Sequence, residues 1–314
     1  MKVTRLTPDR LIKAAQSGDP QAQFDVGNLL WNGSPDIRRD RSAAIKWYRE
    51  SAKGDYFDAI LRLARIFDSD GEFAPNYEEA FCWYKQAAEL ASPYAQYCVG
   101  HCYAHGHGIQ KNNEEAAKWY RRSALQKPPG FSVAQHALGI CFQSGLGVSQ
   151  DDFEAMYWFR RAAEQGLALA QYDLANACRL GKGTPRDFEA AAKWYRAAAI
   201  QGHRAAQYNF AVCHFHGIGV AQNHVEAVTW YRKAADQGQS DARFNLGLCY
   251  RDGDGVEIDW PQAFAWLKLA ADQGDKEAKE TSAALADLMT REEIEQAIQL
   301  CQHMSKTIEP KVGQ

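Results

Sequence analysis

The residues whose types and spacing come nearest to a chemical site stand together in HCYAHGHG, residues 101–108. His101 and His105 are four apart, which puts both imidazoles on one face of a helix, and His107 follows in the adjoining turn. Imidazole and thiolate are zinc ligands, and Cys102 lies between them, but a zinc site needs three or four donors converging on one point. His105 shares its place in a recurring pattern with His216, and elsewhere that place holds Ser144, Leu180 or Asp252, the variation of an exposed position. No metal is therefore expected. DGDGVEID from Asp252 has the acidic spacing of a calcium loop, yet Val256 stands where an oxygen ligand is required. GKGT at 181–184 lacks the upstream spacing of a phosphate loop, and Cys-x-x-Cys, His-Glu-x-x-His and Gly-x-Ser-x-Gly are all missing. Glu114 and Glu115 open a helix, where carboxylates suit the positive end better than they suit acid–base work. No catalytic residue and no cofactor are expected, and the chain reads as a non-enzyme.

The elements that carry these residues repeat. Trp47, Trp83, Trp119, Trp158, Trp194, Trp230 and Trp266 recur every 36 residues, with one interval of 39. A period of this length over most of a chain marks a stack of repeats. Three residues before each Trp stands Ala, from Ala44 to Ala263, and five after it stands Ala again, from Ala52 to Ala271. An aromatic follows the Trp in every unit but the last, where Leu267 takes its place. Those offsets share one helix face, where small residues let another helix approach. Nineteen residues before the Trp in units two to seven sits Ala64, Gly100, Gly139, Ala175, Ala211 or Gly247, and Gly27 fills the place in unit one. Between the two helical stretches runs Gly-x-Gly, as at Gly106 and Gly108, supplying the left-handed backbone that ends a helix. In the fourth unit the helices fall near 132–144 and 152–165.

AQYDLANACRLGKGTPRDFEAAAKWYRAAAIQG, with its joint agreement of Ala, small residue, Gly-x-Gly, Trp and Ala-Ala, resembles the Sel-one-like repeat, a relative of the tetratricopeptide repeat. The resemblance covers seven copies over about residues 20 to 274. It implies an all-α fold, a right-handed α-α superhelical solenoid of helix–turn–helix repeats, serving as a scaffold or adaptor for other proteins. Two turns depart from the pattern: Gly33 is followed by Ser34, Pro35 and Asp36, and unit two has Asp70, Gly71 and Glu72. Different turn shapes are expected there.

A solenoid grows by addition, so residues 1–314 are read as a single domain. Residues 7–19 form an N-terminal capping helix opened by Thr7 and Pro8, with Arg10 where Trp would stand. Residues 275–305 form C-terminal capping helices, with Thr290 and Glu293 as a capping box, and 306–314 form a frayed tail. Pro128 and Pro129 interrupt helix in the longer link at 127–130, which either bends the solenoid or only lengthens the connection. The net charge of −3 gives no basic footprint for nucleic acid. No apolar run is long enough for a membrane span, and no signal peptide opens the sequence. Cys102, Cys141, Cys213 and Cys249 share one small site that Ala177 fills in unit five. Stacked equivalents lie roughly 10 Å apart, too far for a disulfide, so reduced core thiols are expected. A secreted branch of the family pairs cysteines at helix ends, where this chain has Ala. Cytoplasmic location and a monomer are the expectation.

In relatives of this architecture the first helices line the concave face. Their columns vary in chemistry here: Asn28, Arg65, His101, Ile140, Asn176, Val212 and Leu248, then Trp31, Asp68, Ala104, Gln143, Arg179, Phe215 and Arg251. The expected partner surface comprises His101, Asn176, Arg179, Val212, Phe215, His216, Leu248 and Arg251, taking a protein or peptide ligand. Asn176 and Asn209 resemble the asparagine pair of a carboxylate clamp, but Tyr172 and Asp241 stand where its lysines belong. Two other readings stay open: a hydrolase with its site in the groove, and a dedicated inhibitor or immunity protein for one enzyme or toxin.

Overall fold

The computed structural model describes residues 8–35, 37–69 and 74–308. Among them the chain is helical, apart from turns and an isolated antiparallel bridge between Ser34 and Ile37. It divides into two compact units, Met1–Asp151 and Asp152–Gln314. The first holds α1 (Pro8–Gln16), α2 (Pro20–Asn32), α3 (Arg41–Lys53), α4 (Phe57–Asp68), α5 (Tyr77–Glu89), α6 (Pro93–His105), α7 (Asn113–Ala124) and α8 (Ser132–Ser144). The second holds α9 (Asp152–Glu164), α10 (Ala168–Leu180), α11 (Phe188–Ile200), α12 (Arg204–His216), α13 (His224–Asp236), α14 (Ser240–Asp252), α15 (Trp260–Asp272), α16 (Lys276–Ala286) and α17 (Arg291–Ile308). Within each unit, helices up to α16 pack on their neighbours in sequence, and α17 packs on α15. This is an all-α solenoid of helix pairs. The division between units falls inside the fourth pair, at 151/152, and not at the link 127–130.

First helices end as the glycines predict. Gly106, Gly145, Gly181, Gly217 and Gly253 are left-handed, and each donates its N–H to the carbonyl four residues back. The second glycine of each turn answers a different demand. A Cβ on Gly108 would lie 2.0 Å from the carbonyl oxygen of Tyr77, so the turn seats directly on the preceding repeat's second helix. The turn after α2 does differ: Gly33 has φ 74° and ψ 170° and is followed by the Ser34–Ile37 bridge. Asp36 and the Asp70–Glu72 turn lie outside the described residues, as does Thr7.

Second helices start at a column the spacing also holds but the Trp register hides. Asp40, Asn76, Asn112, Asp187, Asn223 and Asp259 each accept an N–H of the helix they open. Each such cap contributes about 1 kcal/mol. The same residues donate their own N–H to the end of the first helix, as Asn112 does to Tyr103 O at 2.9 Å. Each Asx residue thus closes one helix and opens the next.

The most fully enclosed large side chains of the second helices stand one place after the tryptophans. Tyr48, Tyr84, Phe159, Tyr195, Tyr231 and Leu267, each just after a Trp, are among the most deeply buried large side chains. Trp158 and Trp266 are buried, but Trp47, Trp83, Trp119, Trp194 and Trp230 are only half-buried. The small residue of the first helix makes room for the tyrosine and not for the Trp. A Cβ on Gly27 would come within 2.5 Å of the Tyr48 ring, and one on Gly100 within 2.7 Å of Tyr120.

A buried amide ladder joins successive repeats. Gln207 Nε2 donates to Ala199 O at the end of α11, while its Oε1 accepts from Gln237 at the end of α13. Gln171 does the same with Ala163 O and Gln201. At the ends, Leu11, Ala14 and Ala15 of α1 pack on Ala22 and Val26, and Arg10 is exposed. Thr290 and Glu293 form the reciprocal box that opens α17. That helix continues through Ile308, past the expected start of the tail at 306, and residues 309–314 lie outside the described residues.

Candidate functional site

Seven of the eight expected surface residues lie in the second unit, on three first helices. Asn176 and Arg179 come from α10, Val212, Phe215 and His216 from α12, and Leu248 and Arg251 from α14. Contacts the sequence reading passed over set these helices side by side. The Tyr172 ring of α10 stacks on His203, the residue that caps α12, at 4.7 Å. Asn245 of α14 donates to the Tyr208 hydroxyl of α12 at 3.5 Å. Tyr172 and Tyr208 share one repeat position with Phe24, Tyr97 and Phe244, an aromatic column that would have shown them.

Several of the seven have partners within the chain. The Tyr195 hydroxyl donates to Asn176 Oδ1 at 2.6 Å and accepts from Arg179 Nε at 3.1 Å. Burial pushes that phenol up to about 12, the Arg179 guanidinium pulling the other way. Arg179 is thus exposed but steered, its Nε committed to the Tyr195 hydroxyl. Phe215 lies flat on His224 at 4.6 Å and 8°, so one of its faces is covered. Val212 and Phe215 back onto the core of α13 to α15, and Leu248 onto Ala263, Leu267, Leu285 and Met289. Arg251 is the largest surprise, since it grips its neighbour Asp252 through two hydrogen bonds of 2.7 Å. Its charge is locally neutralised. Arg251, Asp252, Trp260, Glu280, Leu285 and Leu288 line an open recess of about 510 Å³ at this end of the surface.

His101 lies in the first unit, half-buried on α6 beside His105 and His107. Burial first, and the two neighbouring imidazoles second, lower its pKa. Among the described residues there is no group of three or more His, Cys, Asp or Glu that could hold a metal ion. All eight cysteines are free, and six are buried; Cys82 is exposed and Cys301 half-buried. Burial raises Cys98, Cys141 and Cys213 to about 11 and Cys102 and Cys249 to about 12, the range of inert thiols. No described helix is long and apolar enough to cross a membrane.

Stacked helix pairs, Gly-x-Gly turns and a variable first-helix surface define a repeat protein of the Sel1 type. The Sel1 repeat model matches residues 20–56, 57–92, 93–128, 132–167, 168–203, 204–239 and 240–275, so the chain belongs to the Sel1 repeat family. Sel1 repeat proteins mediate protein–protein interaction. The chain is similar in structure to c5321, a protective antigen of uropathogenic Escherichia coli strains displaying an SLR fold. That likeness has a TM-score of 0.68 and 29% identity over 96% of this chain and 72% of that one. A Sel1 repeat protein from Oxalobacter formigenes matches with a TM-score of 0.60 and 29% identity, over 88% and 90% of the two chains. In sequence it is 32% identical over 116 residues to the chitin synthase regulator SKT5 of Saccharomyces cerevisiae. That match takes in 36% of this chain but only 16% of the yeast protein.

Proposed function

We propose that the chain is an adaptor that binds a segment of another protein across α10, α12 and α14. The observation that carries the reading is the contrast between columns. The Ala column and the column of Tyr195, Tyr231 and Leu267 are buried and apolar or aromatic throughout, whereas Asn176, Arg179, Val212, Phe215 and His216 stay partly open and differ from repeat to repeat. Interface anchors favour aromatic and Arg side chains, and Arg179 and Phe215 supply one of each. The Arg251–Asp252 pair makes Arg251 a weaker anchor than its residue type implies, and the recess beside it offers apolar ground instead. The match to the yeast regulator spans a small part of that protein, so no particular enzyme is proposed as partner.

The test is affinity capture from the native organism with matched charge changes. Arg179→Glu with Arg251→Glu should abolish capture of the partner and leave the melting temperature nearly unchanged. Lys193→Glu with Arg196→Glu, on exposed positions of α11, alters net charge equally and should retain capture at matched salt. Loss with the second pair and retention with the first would move the binding surface to the second helices.

A further inference from the structure

The outward face of α9 carries apolar surface that the repeat does not require. Phe153 and Tyr157 stand four apart on one helix face and are 75% and 51% exposed. The corresponding places hold Glu78 and Cys82 on α5, Glu114 and Lys118 on α7, and Glu189 and Lys193 on α11. On α13 Val225 is exposed as well, but Thr229 takes the second place. A single exposed apolar residue is ordinary, whereas a contiguous pair of rings marks an interaction surface.

Tyr157 is held ready for contact. Its ring meets the Trp158 ring edge-on at 5.1 Å and 82°, and its hydroxyl accepts from Arg161 Nη1 at 3.2 Å. The Arg161 guanidinium also lies 5.8 Å from the Tyr157 ring and 5.6 Å from the Trp158 ring. A ring fixed beforehand loses little side-chain entropy on binding. Phe153, Tyr157 and exposed Arg160 fall within about 60° of one another around the helix, with Glu154 and Arg161 together on one flank. Charge runs in one direction along this stripe. Asp152 and Glu154 lie in the first turn, and Arg160 and Arg161 follow Tyr157. The surface that complements such a gradient is the same gradient reversed, which a second copy supplies across a two-fold axis.

We propose that α9 pairs antiparallel with α9 of a second copy of this chain, forming a weak symmetric dimer. With the axis beside Tyr157, the two Tyr157 rings meet and Phe153 lies against Arg160 of the second copy. Glu154 then shares a flank with Arg161 of the second copy. Arg–aromatic and Arg–carboxylate contacts each occur twice. α7 and α13 carry the same charge gradient, so charge sets the direction of pairing and the aromatic pair sets which helix is used. One helix face is a small interface, and a dissociation constant of about 10–100 µM is expected. The monomer expected from the sequence is then the dilute form. This surface is separate from the first-helix partner surface, and either reading can fail without the other.

Sedimentation equilibrium of the full chain from about 1 to 500 µM tests the pairing, a range that brackets a weak interface. The mean mass should rise from one chain towards two. Phe153→Ser with Tyr157→Ser should stay a single chain throughout, with the melting temperature nearly unchanged because both side chains are exposed. Should the double variant melt early, Phe153→Ser alone reads the same loss, as a weakening of about tenfold or more. Arg160→Glu counts twice across the axis and should weaken association about tenfold. Val225→Ser on α13 should associate as the wild type does. A single chain at every concentration would leave the stripe to a different partner and overturn the proposal. A dimer retained in the double variant, or wild-type association in Arg160→Glu, would overturn it equally.

Discussion

At Tyr195 the side chain is fully buried, and its hydroxyl donates to half-buried Asn176 and accepts from exposed Arg179. One side chain therefore links the core of a repeat to its candidate binding surface. Tyr195→Ala should cost about 3–5 kcal/mol, the range for removing a buried aromatic ring. Trp194→Ala, at a half-buried position, should cost clearly less. Denaturant melts of both variants check this, and a larger loss in Trp194→Ala would restore the tryptophan as anchor. Thiol reactivity provides a second measurement at this scale. Cys82 is exposed, so a thiol reagent should label about one site quickly on native protein. Cys98, Cys102, Cys141, Cys178, Cys213 and Cys249 should label only on unfolding. Fast labelling of several sites, read by intact mass, would contradict the buried column.

The helix pair is set by its ends. Asn223 caps α13 with its side chain, and its N–H reaches back to His214 O at 2.9 Å, so one residue orders two helices. His203 caps α12 differently, accepting the Ala206 N–H on Nδ1 at 3.2 Å, which requires the neutral ring. Its pKa is lowered, by burial first, with Asp173 opposing and Arg204 adding to the shift. A histidine with a depressed folded pKa stabilises above its unfolded value of about 6.5, and that contribution is lost as pH falls through the folded value. Melting temperature should therefore drop between neutral pH and about pH 5. His203→Ser, which keeps a cap but cannot titrate there, should flatten part of that drop. An unchanged pH profile in the variant would show that the ring's charge is irrelevant to α12.

For the molecule as a whole, stability accumulates from neighbour to neighbour. Helices α11 to α13 are stapled on both sides by Gln171, Gln207 and their partners, whereas α1 contributes little beyond Leu11, Ala14 and Ala15 to its cluster. Native-state hydrogen exchange should accordingly show the lowest opening free energies in α1 and at the end of α17, and the highest in α11 to α13. Uniform protection along the chain would mean that it opens as one cooperative block instead.

Helix positions and the stacked-repeat class were open to reading because they depend on local and periodic chemistry. Helices placed near 132–144 and 152–165 are found at Ser132–Ser144 and Asp152–Glu164, since glycine turns and Ala-rich faces act within a few residues of themselves. The Asx caps are equally local, and stand seven residues before the Trp of their unit. Three-dimensional packing decided the rest. Trp194 and Tyr195 are adjacent on one helix, and only the neighbouring helices determine which ring is enclosed. Arg251 read as an open anchor until its rotamer closed on Asp252. The clustering of His101, His105 and His107 required the left-handed turn and the Tyr77 stack together. Side-chain direction, unlike helix length, depends on what the rest of the chain packs beside it.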